Sequence, residues 1–314
     1  MVIKGYRVGP LLQATGKEVL DDNVPGLAAQ TAYYFFFSLF PLFLFAAPIL
    51  SFVGDKQEMI GRLMASIGAA LPATALELIE GVITDVVLSE SAPGLMSIGA
   101  VLAAWAGSNI FVALIDALNR AYDVAESRPW WKKRLIALGA VAAAGIVVLV
   151  ATAVMLGGEQ LAGWIAARLG LGDDTVDVWM LLQYPVAILL VVGGAWLVYY
   201  FLPSIRQDPR EVLVGAIVAT LLWVIVTLGF RAYVVNFGSY SSTYGTVGGV
   251  IALLTWMYLT MFVLLIGGEL NAEIHHGTGA LEPRAGAVYA GQLLTGSLSG
   301  AASTERIDRV VPAS

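Results

Sequence analysis

A chain of 314 residues that is 58% hydrophobic and only 13% charged, with a mean hydropathy of +0.80, lies outside the range of soluble domains. It has no cysteine, which excludes disulfides, thiolate-ligated zinc, iron–sulfur clusters and thiol catalysis without identifying a compartment. With a formal net charge of −6 and a pI near 4.9 it offers no broad positive surface for phosphates, so nucleic acid is not an expected partner.

Residues 1–25 are mixed in polarity and form an N-terminal segment. The first apolar run, Gly26 to Val53, starts too late and runs too long for a cleaved signal peptide, so it is expected to remain as a signal anchor. Further runs follow at Gly94 to Leu118, Leu135 to Gly157, Trp179 to Leu202, Val212 to Phe230 and Thr246 to Gly268. The 23 residues from Leu135 to Gly157 carry no charge. As a helix they span about 35 Å, against a hydrocarbon core of about 30 Å. In lipid every backbone N–H and C=O must be satisfied within its own segment, so six transmembrane helices are predicted; the short alternating stretches of a β-barrel do not occur. The fold class is all-α, a polytopic membrane helix bundle filling residues 26–273.

Between the first two spans, at about 55–92, Met59, Ile60, Leu63, Met64 and Ile67 recur at helical spacing. After Pro72, Leu76, Ile79, Ile83, Val86 and Val87 do the same. They predict two outer amphipathic helices lying on the membrane or capping the bundle. Pro41, Pro48 and Pro185 should kink their spans. Gly99, Ala103 and Gly107 make a small-residue stripe that admits a close helix neighbour. Asp208-Pro209-Arg210-Glu211 places an N-cap and a first-turn proline before the fifth span. Residues 274–314, rich in Gly, Ala, Ser and Thr, read as a flexible tail.

Cytoplasmic loops are enriched in Lys and Arg, and here thirteen of the 17 fall on the side of the N-terminus. The other side keeps Lys56, Arg62, Arg168 and Arg231. Both termini are therefore expected in the cytoplasm. Trp130 and Trp131, beside Lys132, Lys133 and Arg134, read as an interfacial anchor on that side.

Polar residues in or at the ends of spans are costly unless paired or hydrated, so function is sought there. On the second span Asn109, Asp116 and Arg120 share a stripe, with Asn119 and Asp123 beside it; Asp116 and Arg120, four apart, can pair. On the sixth, Glu269 shares a side with Tyr258 and Phe262, and Asn271 and Glu273 follow. Two readings stay open: caps and ion pairs that hold the bundle, or a polar pathway of Asn109, Asp116, Asn119, Arg120, Glu269 and Asn271 opening inward. Arg231, Tyr240, Tyr244 and Gly245 are candidates on the outer side, around a polar hairpin that a simple helix–helix turn explains equally well. Ser38, Gln183 and Tyr184 are placed to bond between helices.

The run Ala32-Tyr33-Tyr34-Phe35-Phe36-Phe37-Ser38-Leu39-Phe40-Pro41, Ser108-Asn109, Asn119-Arg120-Ala121-Tyr122, Trp131-Lys132-Lys133-Arg134, Tyr199-Tyr200-Phe201-Leu202-Pro203, Tyr244-Gly245 and Leu265-Ile266-Gly267-Gly268-Glu269-Leu270-Asn271-Ala272 together resemble the YihY/BrkB family of bacterial membrane proteins. The resemblance covers about Gly26 to Glu273. It implies a six-helix inner-membrane protein with both termini inside, linked to virulence and envelope integrity, in which movement of lipids or other solutes is the expected activity.

Older labels for such proteins name ribonuclease BN. A nuclease needs acid–base groups or a metal cluster and a phosphate-binding surface. The only histidines, His275 and His276, are adjacent and point about 100° apart on a helix. No phosphate loop, zinc-protease signature or nucleophile elbow occurs. No catalytic residue, metal site or cofactor is therefore expected. Intramembrane charges on two helices exceed what packing needs, which favours a transporter or lipid translocase. A structural or assembly factor is the alternative, and a ribonuclease ranks last. Membrane lipids, an unidentified lipid or small-molecule substrate and a second copy of the chain are the expected partners.

Overall fold

A computed structural model describes residues 2–3, 6–50, 92–156, 174–237 and 240–277, with Gly163 and Arg168 as isolated positions. The amphipathic insertion expected at about 55–92 lies, up to residue 91, outside the described residues, as does the tail beyond residue 277. A two-residue ladder pairs β1 (Val2–Ile3) with β2 (Tyr6–Arg7) in antiparallel register. Helices follow: α1 (Val8–Asp21), α2 (Val24–Leu50), α3 (Ala92–Ala121), α4 (Trp130–Leu156), α5 (Asp174–Phe201), α6 (Pro209–Phe237) and α7 (Tyr240–His276). Among these, α2 to α7 are the six long and apolar enough to cross a membrane.

Most of these helices outrun the apolar segments that predict them, because a helix satisfies its backbone whether or not its side chains suit lipid. The outer hairpin is corrected accordingly. Arg231 lies within α6, and Tyr240, Tyr244 and Gly245 lie in the opening turns of α7. α2 continues through Pro41 and Pro48, and Pro185 sits inside α5. The N-terminal segment, expected only to be mixed in polarity, holds an amphipathic helix: α1 buries Leu11, Thr15 and Val19, spaced four apart. Leu11 packs on Leu270 and Ile274 of α7.

The six spans run in chain order around a ring, each touching the next, and α7 closes it against α2. A contact between α3 and α7 crosses the ring and makes the α2, α3, α6 and α7 side dense. The small residues expected to allow close approach do so in part. A Cβ on Gly99 would stand 2.7 Å from the backbone nitrogen of Phe45 in α2, whereas Gly107 faces Val141 of α4. Between α6 and α7 the approach is closer, for a Cβ on Gly215 would overlap the carbonyl oxygen of Gly267.

Helix ends are locked where the chain turns. α3 stops with Asp123 in the left-handed region, φ 53°, where the Val124 N–H donates to Asn119 O and the Asp123 N–H to Arg120 O, both at 2.9 Å. α6 starts as expected: the Arg210 N–H donates to Asp208 Oδ1 at 2.9 Å, and Pro209 fills the first turn.

Candidate functional site

Inside the ring lies a cavity of about 680 Å³. Gly139, Ala140, Ala143 and Ala144 of α4 face Gly194 and Ala195 of α5, and these short side chains leave the room. Phe35, Phe111, Trp223, Trp256 and Leu264 wall it from the other four spans. Among the described residues no charged one lines it. Its hydroxyls are already engaged: Thr220 donates to Ala216 O at 2.8 Å, and Thr260 accepts from the Trp223 indole at 3.3 Å. The lining ends at Phe201 and Leu202, where α5 gives way to the loop before α6.

A polar network lies at that end. Arg128 grips Glu126 through Nε to Oε1 at 2.7 Å and Nη2 to Oε2 at 2.8 Å, and Nη2 also donates to Leu202 O at 2.7 Å. Asn119 donates to Glu126 Oε2 at 3.0 Å and accepts from the Ser204 N–H at 2.7 Å. Tyr122 donates to Gln207, whose amide in turn donates to Tyr199 O at 2.8 Å, and the Tyr199 hydroxyl donates to Leu264 O. The loop after α3 is thus tied to the loop after α5. The Arg128 guanidinium holds the Glu126 carboxyl down at about 2. Burial, and then the charge of Glu269, push the Tyr122 hydroxyl up.

The proposed polar pathway is dispersed. Asn109 accepts from Arg134 Nη1 at 2.8 Å, together with Ser108 at 2.6 Å, and the guanidinium stands 4.4 Å over the Trp105 ring. Asp116 pairs with Lys133 of α4, not with Arg120 as expected; Arg120 reaches across to Asp22 O at 3.1 Å. The angular proximity of Asp116 and Arg120 was legible, but the cation at the start of α4 lay outside that helix wheel. Asn119 belongs to the loop network. Asn271, 1% exposed, accepts from the Gly215 N–H at 2.8 Å and donates to Val212 O at 3.1 Å, bridging α6 and α7. Glu269 is buried against the α1 side. None of the six lines the cavity. Ser38 bonds back to Phe35 O at 2.7 Å within α2 instead of to a neighbouring helix, and Arg231 is exposed near the far end of α6.

Helix-wheel reasoning did not single out Glu126, Gln207 or the cavity. The cavity's signal was present as glycine and alanine on α4 and α5, but small residues predict close packing as readily as space. Among the described residues no three His, Asp or Glu side chains gather as a metal site would require.

The family model described as virulence factor BrkB matches residues 15–288. The chain belongs to this family. It is 34% identical over 250 residues to the ribonuclease-like protein YfkH of Bacillus subtilis, covering 79% of this chain and 89% of that one. It is 26% identical over 263 residues to a UPF0761 membrane protein of Tolumonas auensis, with 82% and 83% covered. A UPF0761 membrane protein of Yersinia pestis is 35% identical over 121 residues, 36% of this chain and 39% of that one. No solved structure matches. This BrkB-family protein is thus a multi-pass membrane protein with a six-span bundle.

Proposed function

We propose that this protein is a lipid translocase of the bacterial inner membrane, non-enzymatic, with its termini in the cytoplasm. The observation that carries the reading is the cavity: about 680 Å³, walled by all six spans and free of charge, it suits an acyl chain far better than a polar solute. A headgroup site is offered at its polar end. Lys132 stands on the helical register of Ile136, Ala140, Ala143 and Val147, all of which line the cavity, and Trp130 and Trp131 flank it, 75% and 57% exposed. The orientation rests on the Lys and Arg gathered at that same end.

The test is lipid scrambling in proteoliposomes, with a headgroup-labelled lipid quenched from outside. Ala140→Trp and Gly194→Leu fill the cavity and should abolish protein-dependent movement while the protein stays folded and inserted. If both filled variants scramble like the wild type, the cavity is not the path. If the wild type itself scrambles nothing under any lipid composition, the scaffold or assembly role takes the translocase's place.

A further inference from the structure

A second cluster, sharing no residue with the cavity, lies where α1 meets α7. Glu269 is 2% exposed and Glu273 8%, one turn apart on α7 and so on one face. Among the described residues neither carboxylate is hydrogen-bonded or ion-paired, although Asn271 between them has both ends of its amide engaged. The charged groups that weigh most on Glu269 are acidic: Asp22 and Glu18 from α1, Glu273 from α7 and Asp123 after α3.

The cations and hydroxyls nearby are committed elsewhere. Lys17 is held by Asp21 at 3.2 Å and Glu18 at 3.8 Å, out in solvent. Arg120 donates to the Asp22 carbonyl, the Tyr122 hydroxyl to Gln207 and the Tyr199 hydroxyl to Leu264 O. His275 Nδ1 stands 3.8 Å from Glu211. Burial pushes the Asp22 carboxyl up, and the charges of Asp123, Glu18 and Asp21 add to this against the pull of Arg120. Two buried carboxylates one turn apart, near three more acidic groups, have no cation paired with them among the described residues, and a buried charge without a partner is costly.

We propose that Glu269 and Glu273 form a binding site for a monovalent cation, a proton or an alkali-metal ion, that enters from the polar end past Glu18, Asp22 and Asp123. Among the described residues no three carboxylates converge as a divalent metal would require, whereas a single positive charge is what the pair lacks. The site is independent of the lipid reading and supplies that reading with a driving ion if both hold.

The experiment uses purified full-length protein in lipid nanodiscs and reads the thermal unfolding midpoint at constant ionic strength. One arm varies pH with N-methylglucamine as the sole added cation; the other replaces N-methylglucamine by sodium or potassium at fixed pH. A saturable rise in one arm identifies the ion, and Glu269→Gln should abolish that rise while Glu273→Gln reduces it. Infrared difference spectra of the wild type on the same exchange should show the carboxyl stretches change, and Glu269→Gln should remove part of that change. This separates ion binding from a merely structural role. If Glu269→Gln does not fold, Glu273→Gln and the wild-type spectra decide. Midpoints that respond equally in wild type and Glu273→Gln, with no carboxyl band moving on exchange, overturn the site.

Discussion

α3 buries 39% of its most apolar window inside the bundle, α6 buries 28%, and α2 and α7 22% each, whereas α4 and α5 bury 6% each. The dense side is joined by backbone-to-backbone approaches at Gly99 and Gly215 and by the Asn271 bridge. The sparse side meets its neighbours through small side chains, with the cavity behind it and large apolar residues such as Leu149 and Leu181 facing outward. Apolar contact gives little preference between a helix neighbour and a lipid tail, so it cannot fix a helix in a membrane as close packing and hydrogen bonds do. The difference teaches where rearrangement is cheap: α4 and α5 can part from the ring, while α6 and α7 cannot separate without stranding buried polar groups.

The strongest way to break this contrast is to place the same bulk on both sides. Gly215→Leu has no room and is expected to cost more than about 4 kcal/mol, read as loss of a cooperative unfolding transition. Gly139→Leu points into the cavity and should stay within about 1 kcal/mol of the wild type. If the two variants are equally unstable, the sparse side is not sparse. Next in size is Arg128→Ala, which unties Glu126 and the Leu202 carbonyl together. It should lower stability by about 2 kcal/mol and speed hydrogen exchange in the loop after α3.

The same latch gives a pH signature. Because Arg128 holds the folded Glu126 carboxyl at about 2, below its ordinary 4.5, the stabilisation is whole above pH 4.5 and fades as pH falls toward about 2. The stability difference between wild type and Glu126→Gln should therefore be constant near neutrality and shrink across that acid window. A difference independent of pH would remove the ion pair from the latch. The smallest effect is expected at Asp116. Its side chain is 56% exposed beside Lys133, and Asp116→Asn should change stability by less than about 0.5 kcal/mol.

Six spans and the cap at Asp208 were legible because hydrophobicity and capping are local. The α1 helix was legible in principle from Leu11, Thr15 and Val19, but its partners Leu270 and Ile274 lie at the other end of the chain. The candidate site divided along the same line. Helix periodicity grouped Asn109, Asp116 and Arg120 by angle alone, and their partners Arg134, Lys133 and Asp22 come from other elements, about which a wheel drawn for one helix holds no information. A cavity is still less visible, since it depends on what six helices jointly fail to fill. Glu269 was legible as a charge toward one end of its span, where a cap or an ion pair would explain it, and its acidic surroundings from α1 emerged only when α1 was laid against α7.

The closing of the ring by α7 has a consequence for biogenesis. α7 follows the other five spans in the chain, and it touches α1, α2, α3 and α6. Until it leaves the translocon, the surfaces on α2 and α6 that receive it face lipid, and the Gly215 N–H and Val212 carbonyl await the amide of Asn271. Insertion and assembly are therefore separable events: nascent chains ending before α7 would thread the membrane in the right order yet remain an open arc, a form that membrane proteases could distinguish from the finished protein.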